Sequence, residues 1–116
     1  MTDHEPGTLL WDAVALSKGW LDEHNGCGDH EVTLRILKVM EEAGEVAAAR
    51  IGSLGQNPRK RVSHTDADTA SELADVMITA AVAIESLGLS ARQVLDATCR
   101  KVLARIGQAT VSPDRP

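Results

Sequence analysis

Asp68-Thr69-Ala70-Ser71-Glu72-Leu73-Ala74-Asp75-Val76-Met77-Ile78-Thr79-Ala80-Ala81-Val82-Ala83-Ile84-Glu85 is the stretch that decides the fold. Between its two ends only Glu72 and Asp75 are charged, and the rest is largely Ala, Val, Ile, Leu and Met. A helix starting between Thr65 and Thr69 accommodates the run, and Gly88, just beyond Leu87, suits the left-handed residue that closes a helix. At about 100° per residue, positions three apart lie within about 60° of each other, so Glu72 and Asp75 share a face. Acids in such apolar company need partners.

Working outward, the chain reads as three further helices and no strand. Apolar residues recur at helical spacing from Leu9 to Leu21, with Thr8 placed to cap the start and His24, Asn25 and Gly26 at the end. A second helix begins after Asp29 and runs to Ile51, where Gly52, Ser53 and Gly55 are expected to break it. The loop that follows carries Asn57, Pro58 and the basic run Arg59-Lys60-Arg61. Ser90 and Gln93 form a Ser-x-x-Gln capping box for the fourth helix, with Leu89 and Val94 as its staple, and that helix is expected to reach about Gly107. One all-α domain over 1–109 and a disordered tail over 110–116, with its prolines and low apolar content, complete the expected layout.

The second helix supplies the counterpart of the Glu72/Asp75 pair. Lys38-Val39-Met40-Glu41-Glu42-Ala43-Gly44-Glu45-Val46 places three glutamates on an arc of about 100°, opposite a stripe of Ile36, Met40, Ala43, Ala47 and Ile51. In a symmetric antiparallel hairpin, facing residue numbers keep a constant sum. Glu45 with Glu72 and Glu42 with Asp75 share one, and its midpoint falls in the loop between Pro58 and Arg59. An even loop therefore brings four carboxylates together, whereas an uneven one shifts the register. Such a group cannot stay ionised in a low-dielectric groove without cations, and oxygen-only ligands favour Mg²⁺, Mn²⁺ or Ca²⁺ over zinc. Two competing readings exist. Glu72 can serve Thr69 in a Thr-x-x-Glu capping box, with Glu41, Glu42 and Glu45 a solvated face braced by Lys38. A di-iron bundle requires Glu-x-x-His, and no glutamate here has a histidine three residues later.

Composition bounds the rest. With 116 residues, 43% hydrophobic and 25% charged, the chain has the size of one domain, and a domain this small gains core by pairing with a copy of itself. A homodimer burying the apolar face of helix two or four is expected, and a tetramer is also compatible. A net charge of −5 and two tryptophans as the only aromatic residues argue against a nucleic-acid polymer as partner. Cys27 and Cys99, without a CxxC pair or a leader-like start, fit a reducing, cytoplasmic setting. The charge-free run from Val76 to Ile84 is too short to span a membrane. His24-x-x-Cys27-x-x-His30 lacks a fourth ligand at zinc-site spacing.

Glu-Glu-x-x-Glu over Glu41–Glu45, followed by Glu72-x-x-Asp75 across a helical hairpin, resembles the MazG-like members of the all-α nucleoside triphosphate pyrophosphohydrolase superfamily. The resemblance covers roughly Leu9 to Arg105. It implies a four-helix MazG-like bundle with Mg²⁺, or Mn²⁺ in its place, held by Glu42, Glu45, Glu72 and Asp75. Glu41 matches the residue that orients or deprotonates the attacking water. The implied reaction cleaves a nucleotide between its α and β phosphates, giving a monophosphate and pyrophosphate in nucleotide-pool housecleaning. Metal ions alone can neutralise phosphate oxygens and activate water, so that chemistry asks little more of the protein.

The sequence has no GxxxxGK[ST] loop, so phosphate contacts fall to scattered cations: Lys38, Arg59, Lys60, Arg61, Lys101 and Arg105. Trp20 resembles the aromatic that relatives set against the base, with Asn25 and His64 as polar candidates, although core packing is the commoner fate of a tryptophan at helical spacing. Deoxyuridine triphosphatases and phosphoribosyl-ATP pyrophosphohydrolases share related carboxylate clusters, which leaves the substrate open. A nucleotide-binding or regulatory protein that keeps the cluster but turns over poorly is the competing class, favoured by the scarcity of aromatic residues.

Overall fold

The computed structural model describes residues 7–110, with side chains described through residue 108. Four helices make up this part of the chain: α1 (Thr8–Asn25), α2 (Asp29–Leu54), α3 (Asp66–Ser86) and α4 (Ala91–Thr110). No strand occurs among the described residues, as expected. Thr110, assigned to the tail from the sequence, is the last residue of α4, and the remainder of that tail lies outside the described residues. No single helix is long and apolar enough to cross a membrane.

Local chemistry sets the helix ends, with two corrections. Thr8 is the first residue of α1, and Gly7 takes the cap position at φ 87°. Gly52 does not break α2, which runs on through Leu54. A Cβ at Gly52 would collide with the His64 ring and stand 2.6 Å from Ser63 Oγ, and the Ser63 amide donates to the Gly52 carbonyl at 3.0 Å. The glycine is there so that the returning loop can lie on the helix backbone, at a cost of about 1 kcal/mol in helix propensity.

At the start of α3, the Thr65 hydroxyl accepts from the Asp68 amide at 3.2 Å while Asp68 accepts from the Thr65 amide at 2.8 Å, a reciprocal capping box. The cap is therefore Thr65 with Asp68, and Glu72 stands inside the helix, free of any capping role. Gly88 is left-handed at φ 83° beyond the end of α3, as the sequence suggests. Ser90 accepts from the Gln93 amide at 3.2 Å and opens α4.

The second and third helices form an antiparallel hairpin. Arg50 meets Asp66 beside the loop at 3.3 Å, and Glu42 meets Asp75 farther from it. Ala49 is buried where the two helices touch, and α1 lies along α3. The core is small: Val14, Ala81, Val82 and Ala91, flanked by Leu10, Trp11, Leu21, Ile78 and Ile84.

One buried cation ties this three-helix body together. Arg35, 4% exposed, reaches Asp22 of α1 at 2.7 Å, Glu31 of α2 at 2.6 Å, Ser86 of α3 at 3.0 Å and the Gly26 carbonyl at 2.9 Å. Asp22 is held below the usual carboxylate range by hydrogen bonds from Lys18 and Arg35, and Glu31 by its bond from Arg35.

The fourth helix joins this body only at its start, where Ala91 is buried in the core. The chain bends by 115° between α3 and α4, and every described residue of α4 beyond Ala91 is exposed. The radius of gyration is 18.6 Å, where a compact domain of this length has about 13 Å. The bundle expected from the sequence is thus three packed helices and an arm.

Candidate metal centre and adjoining cleft

Three carboxylates converge on one side of the α2–α3 hairpin. One oxygen from each of Glu42, Glu72 and Asp75 lies within 4.8 Å of the others, Glu42 and Glu72 partly buried and Asp75 exposed. Helical spacing explains the convergence: Glu72 and Asp75 are three residues apart on α3, and the antiparallel register brings Glu42 to their level. Glu72 is pushed above the usual carboxylate range, first by desolvation and then by the charges of Glu45, Asp75 and Glu42, with His64 opposing. Burial together with three neighbouring acids thus disfavours the ionised form of Glu72, as expected where negative charge is gathered without a compensating cation. An oxygen-only donor set of this size can hold a hard divalent cation.

The other two acids of the cluster stand apart from this trio. Glu45 is exposed and outside it, though close enough to be the strongest charge acting on Glu72. Glu41 is exposed and lies 3.6 Å from Lys38. Lys38 also lies 3.6 Å from Glu42, whose side chain is 19% exposed. The bracing by Lys38 foreseen for a solvated face is present, yet the face it braces carries a member of the convergent trio.

Beyond Lys38 the same groove opens into a cleft of about 450 Å³ between α1 and the hairpin. Leu16, Trp20 and Leu21 form one wall and Ile78, Thr79 and Val82 the other, with Arg35 and Lys38 contributed by α2. Ile78 and Thr79 are one turn beyond Asp75, and Lys38 is one turn before Glu42, so the cleft and the carboxylates are consecutive stations along two helices. Trp20 is 60% exposed and stacks at 4.4 Å on His24, whose ring bonds the Trp20 carbonyl at 2.7 Å. It is therefore a wall of the cleft rather than a core residue.

Other sequence candidates lie elsewhere. Arg59, Lys60 and Arg61 are exposed on the loop, Arg61 at φ 57°, and among the described residues none of them makes an ion pair. Lys101 and Arg105 are exposed on α4, the helix that turns away from α3 by 115°. Asn25 contacts Glu31 at 3.4 Å, and His64 sits beside Gly52 and bonds Ser63 at 2.9 Å. His24, Cys27 and His30 are not among the metal-capable groups of the described residues.

Arg35 is the residue that sequence reasoning missed. Its signal was Glu31-x-x-x-Arg35 set among Val32, Leu34 and Ile36, a charged pair at helical spacing where the neighbours are apolar. Comparison of the chain with family models, curated proteins and solved structures finds no match.

Proposed function

We propose that the chain is a Mg²⁺-dependent nucleotide pyrophosphohydrolase of the MazG-like kind, acting as a homodimer on small nucleotides in the cytoplasm. The observation that carries this reading is the continuity of the groove: three convergent carboxylates at one station, Lys38 at the next, and an aromatic-walled apolar cleft beyond it. A nucleotide has the same order of parts, with polyphosphate, sugar and base. Glu42, Glu72 and Asp75 would hold the metal, with Glu45 near enough to join them. When bound, the metal supplies charge neutralisation at phosphate oxygens and a lowered pKa for water.

The chain's own residues provide the rest. Trp20 offers a face for the base, and Leu16, Ile78 and Val82 exclude water around it. Lys38 places an ammonium between cleft and carboxylates, where a phosphate oxygen can exchange it away from Glu41 and Glu42. Glu41, once relieved of Lys38, is an exposed carboxylate able to accept a proton from water. Mn²⁺ suits the same donors.

The deciding experiment incubates the purified chain with canonical and modified nucleoside di- and triphosphates, with Mg²⁺ and with chelator, and separates the products. Monophosphate plus pyrophosphate over many turnovers, only with metal, is the expected result. Tight metal-dependent binding without turnover would instead favour the binding or regulatory class, which the single aromatic wall of the cleft also suits.

A further inference from the structure

The cleft beside the carboxylates has a polar lining of one kind. Among the described residues around it, the polar ones are Ser17, Arg35, Lys38 and Thr79, with no carboxylate, carboxamide or imidazole. Lys38 is drawn to Glu41 and Glu42 by its ion pairs, which leaves Ser17, Arg35 and Thr79 to meet whatever fills the space. A hydroxyl inside a helix commonly donates to the carbonyl one turn back. Thr33, Ser86 and Thr98 do so, at 2.9, 2.7 and 2.9 Å. Ser17 and Thr79, half-buried on facing walls of the cleft, have no hydrogen-bond partner among the described residues.

Arg35 fixes the sign of this lining. A guanidinium has five N–H groups and no acceptor. Four of them are engaged: Nε donates to Glu31, Nη1 to Asp22 and Ser86, and Nη2 to the Gly26 carbonyl. One Nη2 hydrogen is left over, on a side chain that is 4% exposed and lines the cleft. A buried donor without an acceptor is costly, so a ligand that brings an acceptor is favoured there. The acids closest to Arg35 cannot reverse this, because Asp22 already accepts from Lys18 and Arg35, and Glu31 from Asn25 and Arg35.

We infer that the cleft selects nucleobases by their ring carbonyls, taking uracil, thymine or hypoxanthine in preference to cytosine or adenine, which carry an amino group at the corresponding position. A carbonyl oxygen accepts from the spare Arg35 N–H or from either hydroxyl. An amino group instead brings hydrogens to a lining whose charged members only donate, and burying it there leaves N–H groups on both sides unmet. Ser17 and Thr79 can accept as well as donate, so they add strength to the contact while Arg35 gives it direction. Discrimination by stranded polar groups exceeds what an apolar wall achieves by shape. This inference rests on the placement of the base in the cleft under the reading above, and it adds the chemical class of the base.

The test uses two matched pairs, dUTP against dCTP and dITP against dATP, each exchanging a carbonyl for an amino group on one ring. The full chain is assayed with Mg²⁺ for kcat/KM on all four, and calorimetry measures the binding of their α,β-methylene analogues. The carbonyl member of each pair is expected to be favoured at least tenfold in both measurements. Thr79→Val, nearly constant in shape, should narrow that ratio about threefold, chiefly through KM. Arg35→Lys should abolish it; if circular dichroism shows that this variant does not fold, the wild-type pairs and Thr79→Val decide. Equal constants within the pairs, or a preference for the amino members, would overturn the inference and leave the hydrolytic reading standing. A carbonyl preference in binding without turnover would uphold it and remove the hydrolytic reading, whereas no binding of any analogue and no turnover would overturn both.

Discussion

The two sides of the α2–α3 hairpin are built from one pair of helices and yet have opposite characters. On the groove side, Glu42, Glu72 and Asp75 gather near Lys38, the two glutamates partly withdrawn from water and Asp75 exposed. On the back, Met40, Leu54, Leu73 and Met77 stand open to it. Ordinary amphipathic packing turns the apolar stripe inward and the acids outward, whereas here Glu42 and Glu72 are partly buried while Met40, Leu54, Leu73 and Met77 are exposed. The difference teaches that the groove side is held by charge pairing through Lys38 and Arg35, while the apolar stripe is left open to water in the single chain. Each side can be probed without touching the other.

The largest effect is expected at the cation that closes the groove. Arg35→Met leaves Asp22 and Glu31 without their shared partner, and it should lower the unfolding free energy by about 3 kcal/mol, less if water reaches the two acids. Arg100→Met removes an exposed pair with Asp96 on α4, 3.1 Å long, and should stay within about 0.5 kcal/mol. Denaturant melts of both variants measure the contrast. Equal losses would mean that the groove side is no more dependent on charge than the arm.

Next comes Glu72→Gln, which keeps the shape and removes one ligand charge. Turnover should fall at least tenfold, about 1.4 kcal/mol in barrier, and the rise in Tm that Mg²⁺ gives the wild-type chain should shrink with it. Metal-free Glu72→Gln should be at least as stable as the wild type, since a repelled carboxylate is gone. Near-wild-type turnover would remove Glu72 from the metal centre.

Trp20→Ala tests the apolar end of the groove. With the side chain already 60% exposed, the stability cost should be small, while KM should rise several-fold at nearly constant kcat, worth about 1 kcal/mol of ground-state binding. A loss of kcat alone would place Trp20 outside substrate binding.

The smallest effect is a pH slope. The folded-state pKa of Glu72 is raised, so the native chain holds that proton more tightly than the unfolded one, and stability is lost as pH rises through the folded value. Asp22 and Glu31 have the opposite sign: their lowered values give stability present above the ordinary carboxylate range and lost as pH falls through the folded values. In metal-free buffer, Glu72→Gln should remove the high-pH loss and leave the acid-side loss unchanged. Melts across the acidic range read both slopes.

Much of this was legible in residue spacing. The four helices, the left-handed Gly88, the Ser90 cap and the meeting of Glu42 with Glu72 and Asp75 follow from periodicity, capping chemistry and hairpin register. Glu45 was placed in the cluster by the same register but stands outside the trio, because helical wheels fix directions and not the reach of a long side chain. Gly52 was misread because a missing Cβ has several local uses, and the neighbour that selects one comes from elsewhere in the chain. For Gly52 that neighbour is His64, twelve residues on.

The sequence by itself determined the helices and the identity of the two faces on α2, since both follow from interactions within a few residues. Only the tertiary structure decided which face turns toward α3, that Arg35 is the buried link among three helices, that Trp20 walls a cleft, and that Lys101 and Arg105 leave on an arm. Those outcomes depend on contacts between residues distant along the chain, whose energies no local pattern encodes: periodicity shows that a helix has two sides, and packing alone chooses the one that meets the rest of the molecule.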